Sequence, residues 1–489
     1  MLWSCPAPRG ATVVCAIAAF LLLPGITGGA FAQESNSDSS SESIGDLRRE
    51  AADLRVLLDK LQKRIDHLEA ASQAGQPNAP SAQPAQIAQS QPPPIANQAL
   101  AEQPGPAPSK TPDAGLLGGT TVNLLLDTYY EYNFNDPIGR ANLLRAYDVT
   151  SNTFALNQAA LVLENAPKPD EGKRWGARLD LQWGQATQTL QGNSANEPRP
   201  DIYRALFQAY GTYVAPVGRG LTVDFGKWAS SLGIEGNYTK DQMNYSRSYW
   251  FDFLPFYHMG LRANYNFNDQ FGVHYWLVNG TQQTEAFNGF KDQGFGFAWQ
   301  PHKTLNWTVN YYLGQEHPDT VYYPGGAPAG LGNLPTLQGV PFNPIPSAPT
   351  GKLHIFDSYV TWQASPMLAF AMEGDWVIER DFNHSAPAHT DGGALYGRYQ
   401  LTPKVALAGR AEYLSDRGGL FSGATQALKE TTFTVEYKFA EAFLVRWEWR
   451  RDFSNLPYFY SSTLGILKRE QNTAGIGLVW WFGGKTGTW

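Results

Sequence analysis

Residues 175–183 read WGARLDLQW, and this short stretch decides the fold. Its two leucines and two tryptophans alternate with Arg178, Asp180 and Gln182. A period of two is typical of a β-strand with one apolar and one polar face. Repeated in segments of about 10 residues, it also fits a tilted strand that crosses a bilayer.

Segments of this kind recur along the chain from residue 118, and about 16 can be counted, an even number that suits a closed membrane barrel. The second, tenth and twelfth are the least regular, so roughly 14 or 18 segments also fit the pattern. The expected strand starts are near residues 121, 153, 173, 202, 220, 258, 270, 292, 304, 353, 367, 392, 404, 430, 442 and 472.

The connections between segments follow the same order. Those after even-numbered segments are short, as at 268–269, whereas those after odd-numbered segments are long, as at 315–352. Short periplasmic turns that alternate with long outer loops are typical of antiparallel membrane barrels. A soluble β-sandwich has no reason to separate loop lengths in this way.

The composition supports the same architecture. Apolar residues make up 43% of the 489 residues, aromatic residues 13% and charged residues only 17%. A net charge of −7 argues against a nucleic-acid partner, which would need a basic surface. A mean hydropathy of −0.35 excludes a bundle of apolar transmembrane helices.

We therefore predict an all-β fold over residues 118–489, a transmembrane antiparallel up-and-down β-barrel. Its apolar side faces lipid, its polar side faces a water-filled lumen, and closure satisfies the backbone hydrogen bonds. Aromatic residues near strand ends are expected to form the interfacial girdles, namely Tyr129, Tyr130, Trp175, Trp183, Tyr257, Trp447 and Trp449.

The N-terminal segment, residues 1–32, has the features of a secretory signal peptide. An apolar run follows Arg9, and small residues lead to an Ala-Phe-Ala end at Ala32. Both cysteines, Cys5 and Cys15, lie in this segment, so the mature chain is expected to contain no thiol or disulfide. Residues 33–43 are expected to be flexible.

Residues 44–70 carry a heptad pattern, which predicts a periplasmic coiled coil. The apolar residues expected to drive oligomerisation are Ile44, Leu47, Leu54, Leu58, Leu61, Ile65 and Leu68. A trimer is the expected state, and one amphipathic helix packed on its own domain is the alternative. Residues 71–117 are rich in Pro, Gln and Ala and are expected to form a disordered linker.

Several motifs within residues 120–482 carry a resemblance to a known family. They are DTYYEYNFNDP at 127–137, NQA at 157–159, GKW at 226–228, GIE at 233–235, NYSRS at 244–248, PFYHMG at 255–260 and GLVWWF at 477–482. The chain resembles the OmpL-like β-barrel porins of Gram-negative outer membranes. The resemblance implies passive diffusion of small hydrophilic solutes or ions through an outer-membrane pore, and it supplies no catalytic residues.

The polar faces of the segments provide candidates for lining the pore, because fixed charges in a narrow lumen set ion preference. The alternative is that these charges pair with one another and stiffen the wall. The candidates are Arg174, Arg178, Arg204, Arg262, Arg446, Arg450, Asp127, Glu131, Asp180, Glu373, Asp375 and Glu448, with Arg410, Asp224, Glu412 and Asp452 on the same faces.

The third outer loop, expected over residues 226–257, is long, aromatic and charged. We expect it either to fold into the barrel and narrow it or to form an outer cap. If it enters the lumen, Glu235, Asp241 and Arg247 are the candidates for a constriction.

Two other classes of function remain open: a surface hydrolase and a non-transporting scaffold whose coiled coil binds periplasmic partners. No His-Glu-x-x-His motif and no nucleophile elbow occur. His384, His389 and Asp391 form a weak metal-like cluster in one loop. We therefore predict no enzyme activity, metal site or cofactor. The expected partners are outer-membrane lipid, small solutes and further copies of the chain.

Overall fold

The computed structural model describes residues 118–191, 197, 199–322, 342–344, 347–485 and 488–489. Sixteen antiparallel strands pair in chain order, and the first pairs with the last to close a barrel. The predicted closed barrel is thereby confirmed, with a strand count of 16. The strands are β1 Thr121–Asn133, β2 Thr153–Asn165, β3 Trp175–Trp183, β4 Leu206–Ala215, β5 Leu221–Ala229, β6 Tyr257–Asn266, β7 Phe271–Val278, β8 Asp292–His302, β9 Leu305–Gly314, β10 Leu353–Ser365, β11 Leu368–Glu379, β12 Ala388–Gln400, β13 Val405–Arg417, β14 Gln426–Ala440, β15 Phe443–Ser454 and β16 Glu470–Gly483.

The two faces of the wall differ as the sequence predicts. On β1, Asn123 and Asp127 are fully buried and point inward, whereas Leu124 and Leu126 are 37% and 40% exposed on the outside. An apolar exterior of this kind is stable against lipid and unstable against water. The closed ring also pairs the backbone of the wall, which hydrocarbon requires because it offers no hydrogen bonds.

The connections keep the alternation of lengths. The loops after odd-numbered strands contain three short helices, α1 Gln185–Leu190, α2 Pro200–Tyr203 and α3 Tyr249–Phe253. Two small antiparallel ladders lie in such loops, one joining 320–322 to 342–344 and one joining 459–460 to 467–468. Among the described residues, no helix is long and apolar enough to span a membrane.

The strand starts agree with the expected ones within four residues, and the difference at the fourth strand has a local cause. The fourth strand begins at Leu206 and not near 202, because Pro200 opens the helical turn α2. Proline is favoured at the first helical position, where its missing N–H is not needed. The expected fourth strand was therefore wrong at its start, and Arg204 precedes the wall.

The tryptophans predicted for the outer girdle lie on the outside of the barrel, whereas two of the predicted tyrosines do not. Trp175 is 68% exposed and Trp183 50%, both on the outside. Tyr129 and Tyr257 are buried inside the barrel, so their assignment to the girdle was wrong. Their hydroxyls donate to inner partners, Tyr129 to Gln185 Oε1 at 2.7 Å and Tyr257 to the carbonyl of Gln282 at 2.8 Å.

Four predicted segments lie outside the described residues: the signal peptide at 1–32, the flexible stretch at 33–43, the coiled coil at 44–70 and the linker at 71–117. The heptad residues Ile44 to Leu68 belong to them and stay a prediction.

Candidate functional site

The third outer loop, residues 230–256, lies inside the barrel. It is called L3 below. Tyr245 of L3 donates from its hydroxyl to Asp127 Oδ1 on β1, at 2.7 Å. Asn244 donates from Nδ2 to Thr434 Oγ1 on β14, at 2.8 Å. On the far side of the ring, Asn310 of β9 donates to the carbonyl of Ser231 at 3.1 Å. L3 therefore spans the lumen from one wall to another.

Three arginines of the wall bind the backbone of L3. Arg446 donates from Nη1 to the carbonyls of Thr239 and Asn244, at 2.7 and 3.0 Å. Arg410 donates to the carbonyl of Ser246 at 2.9 Å, and Arg450 donates to that of Arg247 at 2.5 Å. A planar guanidinium has five donors, so one arginine can satisfy several carbonyls of an irregular loop.

Carboxylates of the wall bind the N–H groups of the same loop. Glu448 accepts from the backbone N–H of Tyr245 at 2.6 Å and from that of Ser246 at 2.8 Å. Glu412 accepts from the backbone N–H of Tyr249 at 2.8 Å. Buried backbone groups must find partners, and here the wall supplies them because L3 has little regular structure of its own.

The three constriction candidates hold L3 in shape. Glu235 accepts from the backbone N–H of Ser248 at 2.6 Å and pairs with Arg410. Arg247 is fully buried, donates to the carbonyl of Asn237 at 3.0 Å, and lies over the ring of Tyr147.

The third candidate, Asp241, contacts two neighbours. Its carboxylate is 2.7 Å from Lys240 Nζ, and it accepts from the backbone N–H of Trp489 at 3.2 Å. The structure thus brings all three candidates into the lumen, with each bonded to loop or wall. Their role in a constriction stays a prediction.

Most predicted pore-lining charges are paired on the wall. Arg178 and Asp180 form an ion pair at 2.9 Å on β3. Asp127 is fully buried and accepts from Asn157, Thr239 and Tyr245.

A second wall pair has one member that keeps some access to water. Arg262 pairs with Asp224 at 2.9 Å, and its side chain stays 16% exposed. Pairing of this kind matches the alternative that such charges stiffen the wall. Permeation roles for these residues stay predictions.

The remaining candidates occupy different places. Arg174 lies just before β3 and donates to the carbonyl of Val214 at 3.1 Å. Arg204 lies in the loop before β4, where its pair with Asp201 is largely exposed. The position of Arg204 was therefore wrongly predicted to be on the wall. Glu131 accepts from Asn142 at 2.9 Å near the outer end of β1.

Three important charges escaped the sequence analysis. Two of them are Arg398 on β12 and Glu436 on β14, which pair at 2.7 Å. Glu436 also pairs at 2.8 Å with Arg446 on β15, which was already a candidate. Arg145, in the first outer loop, pairs with Asp452 at 2.9 Å. Arg398 and Glu436 carry the same alternation as the chosen residues, so that signal could have found them. Arg145 lies in irregular structure, where periodicity gives no signal.

The lumen also contains an apolar region that the expected polar lining omits. Trp228, Trp276 and Tyr312 point inward from β5, β7 and β9 and are fully buried. They form one cluster with Trp250 and Leu254 of L3. Burying such large side chains stabilises L3 inside the barrel by the hydrophobic effect. The expectation that the inward side of the strands is the polar side was wrong in this region.

The chain after β16 also contacts the interior. The ring of Trp489 packs edge-on against Tyr238 of L3, with centroids 5.7 Å apart, and lies under Lys240 Nζ. Lys485 pairs with Glu164 at 3.0 Å on β2. Trp489 therefore contacts L3, and Lys485 contacts the wall.

The predicted metal-like cluster of His384, His389 and Asp391 is explained in part by an ion pair. The carboxylate of Asp391 binds Arg417, on the neighbouring strand. Among the residues that the structure describes, the acidic group with metal-compatible spacing is a different one, Asp357, Glu373 and Asp375. It does not include His384 or His389.

With the barrel and its inner loop established, comparison with known families is informative. Residues 119–482 match the family described as "Putative beta-barrel porin-2, OmpL-like". The chain belongs to this family. It is an outer-membrane porin, and membership in an OmpL-like porin family favours a channel over an enzyme. The sequence-based resemblance is confirmed. Comparison with curated proteins finds no match.

The following solved structures have a similar outline and are distant in sequence. An anion-selective porin from Comamonas acidovorans is 8% identical, with a TM-score of 0.45 over 74% of this chain and 99% of that one. The outer membrane channel DcaP of Acinetobacter baumannii is 9% identical, with a TM-score of 0.45 over 74% and 96%. The trimer form of OmpT from Vibrio cholerae is 12% identical, with a TM-score of 0.44 over 74% and 99%. Likenesses at these values support no conclusion about solutes or assembly.

Proposed function

We propose that L3 sets the permeability of this OmpL-like porin, and that small hydrophilic solutes or ions diffuse passively past it. The observation that carries the proposal is the span of L3 from its contact with Asn310 on β9 to its contacts with Asp127 on β1 and Thr434 on β14. A solute that crosses the barrel must pass this loop. A barrel of this strand number otherwise leaves an aqueous channel.

The charged side chains that remain partly accessible to water bear on the ion selectivity of the pore. Arg262 is 16% exposed, Arg398 is 15% exposed, and Lys485 is 16% exposed. Each is paired with an acid, so neither sign dominates among these three accessible groups. Balanced fixed charges give weak ion selectivity, because no single sign is concentrated in the lumen.

We further propose that the chain assembles as a homo-oligomer, with a trimer as the expected state, through the coiled coil at 44–70 and the barrel. The order of the strands supports a periplasmic position for that segment. The start of β1 pairs with the end of β16, at Asn123 and Gly483, and the other end of β1 leads into the long outer loop 134–152. The chain therefore enters the barrel at the end with short turns, which is the periplasmic end in such proteins.

Planar-bilayer recording tests the proposal. The comparison is the full chain against a variant in which residues 237–245 are replaced by two glycines. We expect stepwise openings for both proteins and a larger conductance for the variant, because the loop no longer spans the lumen. Silence of both proteins favours the scaffold, whereas silence with hydrolysis of lipid or peptide favours the hydrolase. Equal conductance of the two proteins contradicts control by L3.

Liposome swelling with sugars, amino acids and organic anions then identifies the class of solute. Swelling rates that fall with solute size support diffusion through a narrow aqueous path. A rate that saturates for one class indicates a binding site for that class in the lumen.

A further inference from the structure

Three carboxylates meet on the inner wall beneath L3. Asp357 on β10 lies directly opposite Asp375 on β11 in the strand register, and Glu373 lies on the same inward face. One oxygen from each lies within 4.8 Å of the others. Like charges in directly opposed positions destabilise a sheet. This placement therefore requires compensation of the negative charge.

Among the residues that the structure describes, no cationic side chain supplies that compensation. Within the described part of the chain, no Lys or Arg nitrogen lies within 4.0 Å of these three carboxylates. The nearest charged group of L3, Glu235, is acidic and is already paired with Arg410.

The contacts that the three carboxylates do make are neutral. Glu373 accepts from the backbone N–H of Ile234 at 3.0 Å and from the hydroxyl of Tyr396 at 3.3 Å. Asp357 Oδ2 accepts from Asn310 Nδ2 at 2.5 Å. These bonds fix the carboxylates in place but do not offset three negative charges.

Asp375 lies against the carboxyl of Asp357, and no N–H or hydroxyl group of the described residues donates to it. It is 5% exposed, and Oδ1 of Asp357 likewise receives no hydrogen bond from such a donor. An ionised carboxylate that is buried without a partner is strongly unfavourable. These free oxygens point to a ligand that the carboxylates share.

We propose that Asp357, Glu373 and Asp375 bind one divalent cation, Ca²⁺, on the inner wall of the barrel. Ca²⁺ prefers hard oxygen ligands and accepts carboxylates in flexible, one- or two-oxygen geometry. Mg²⁺ demands near-ideal octahedral geometry, which carboxylates fixed on two paired strands are less able to provide. The site lies beyond the proposed transport function, and the binding of Ca²⁺ does not depend on conduction.

The site also has a consequence for L3. The first turn of the loop passes over Glu373, where Gly233 has a φ of 81° and a Cβ would lie 3.0 Å from Glu373 Oε1. Only glycine adopts this conformation readily while leaving room for the carboxylate. A cation that fixes Glu373 therefore also fixes the acceptor for the backbone N–H of Ile234, and it stabilises the loop at its start.

Calorimetric titration of CaCl₂ into the full chain tests the proposal. The protein is refolded into lipid-free detergent micelles and first treated with EDTA. We expect one Ca²⁺ per chain with a Kd of about 10⁻⁴–10⁻³ M, the range of weak extracellular sites. Asp375→Asn and Asp357→Asn are each expected to weaken binding about tenfold or more. MgCl₂ is expected to bind more weakly than CaCl₂.

Asp224→Asn is the matched control, because Asp224 is also a buried inward acid but is paired with Arg262. It is expected to bind Ca²⁺ as the native chain does.

Thermal unfolding in the same micelles gives a second readout. Ca²⁺ is expected to raise the Tm of the native chain and of Asp224→Asn but not of Asp375→Asn. In EDTA, Asp375→Asn is expected to have a higher Tm than the native chain, because the substitution relieves repulsion among the three carboxylates. The proposal is overturned if the native chain binds no Ca²⁺, or if Asp375→Asn and Asp357→Asn bind it as tightly as the native chain. Conductance is measured separately and shows whether transport fails. Failure of Ca²⁺ binding can therefore be distinguished from failure of the proposed transport function.

Discussion

Arg410 on the barrel wall and Glu235 in L3 form a buried ion pair, with Arg410 Nη1 2.9 Å from Glu235 Oε1. The same guanidinium approaches Glu412 and Glu430, each at 3.2 Å. One arginine thus offsets the charge of three buried acids and also binds the carbonyl of Ser246. The position of L3 in the lumen depends on such wall residues, and the predictions below follow from this dependence.

Removing the charge of Arg410 is expected to loosen L3. Arg410→Gln leaves buried acids without a counter-charge, and breaking a buried pair in this way costs about 3–5 kcal/mol. We expect faster hydrogen exchange across residues 231–248 and a larger single-channel conductance. Arg204→Gln is the control, because Arg204 forms an exposed pair with Asp201 and such pairs contribute little. Equal exchange in the two variants would show that Arg410 does not hold the loop.

Reversing the charge of Arg262 is expected to shift ion preference toward cations. Arg262 pairs with Asp224 at 2.9 Å and keeps 16% of its side chain exposed. Arg262→Glu places two acids together in the lumen, where fixed charges act strongly on passing ions. The reversal potential in a salt gradient measures the shift. The control is Arg219→Glu, because Arg219 is exposed in a short turn and pairs with Asp269. An unchanged potential in Arg262→Glu would place Arg262 away from the path.

A charge placed on the outer face is expected to destabilise the barrel in lipid. Leu395 lies near the middle of β12 and is 58% exposed on the outside. Leu395→Arg is expected to cost about 2–4 kcal/mol at the centre of a bilayer. The midpoint of unfolding by urea in lipid vesicles measures this cost. Leu395→Phe, which keeps the face apolar, should unfold near the native midpoint. If both variants unfold together, Leu395 does not contact lipid.

Acid is expected to separate the second and fourth outer loops. Burial alone would raise the pKa of Glu285, but hydrogen bonds from Arg199 and Tyr203 outweigh it and hold that pKa below its usual 4.5. The bonds measure 2.6 Å from Arg199 Nε and 2.8 Å from the Tyr203 hydroxyl. Because the folded pKa is lowered, this stabilisation is present above pH 4.5 and is lost as pH falls through the folded value.

Hydrogen exchange of residues 199–205 and 281–288 at stepped pH measures the separation. Protection is expected to fall below pH 4.5 in the native chain, after correction for intrinsic exchange rates. Glu285→Gln removes the titrating group, so protection should be low and nearly independent of pH. Glu197, which accepts from the backbone N–H of Thr284 at 2.6 Å, faces the same region and remains in both proteins. Identical pH profiles for the two proteins would assign the effect to another group.

The wall was predictable because its determinants are local. In residues 175–183 each side chain faces lipid or lumen according to its own polarity, so the alternation predicts both the strand and its orientation. The pattern fails where both faces are apolar. In β7, Phe271–Val278, Trp276 points inward and Tyr275 outward, and the sequence cannot separate them. Trp276 is inward because L3 covers it.

The place of L3 was not predictable for a different reason. Its sequence is compatible with an outer cap or an inner loop, because its polar groups find partners far away in the chain. Tyr245 and Asp127, for example, are 118 residues apart in sequence and bonded in space. The partners of Arg410 and Glu373 in L3 are farther away still, at separations of 175 and 139 residues, so no local spacing encodes the contacts.

Cross-linking of L3 to the far wall measures directly whether L3 lies inside the barrel. Asn244 and Thr434 are bonded at 2.8 Å, and the chain has no cysteine after Cys15, so a cysteine pair at these two positions can be read without background. We expect efficient coupling of Asn244→Cys/Thr434→Cys by a short bis-methanethiosulfonate reagent, in which each thiol forms a disulfide and displaces one methanesulfinate. Asn310→Cys/Thr434→Cys, on strands that four others separate, should not couple. Failure of the first pair to couple, with a bulky external maleimide labelling Asn244→Cys freely, would contradict the account and place L3 outside the barrel.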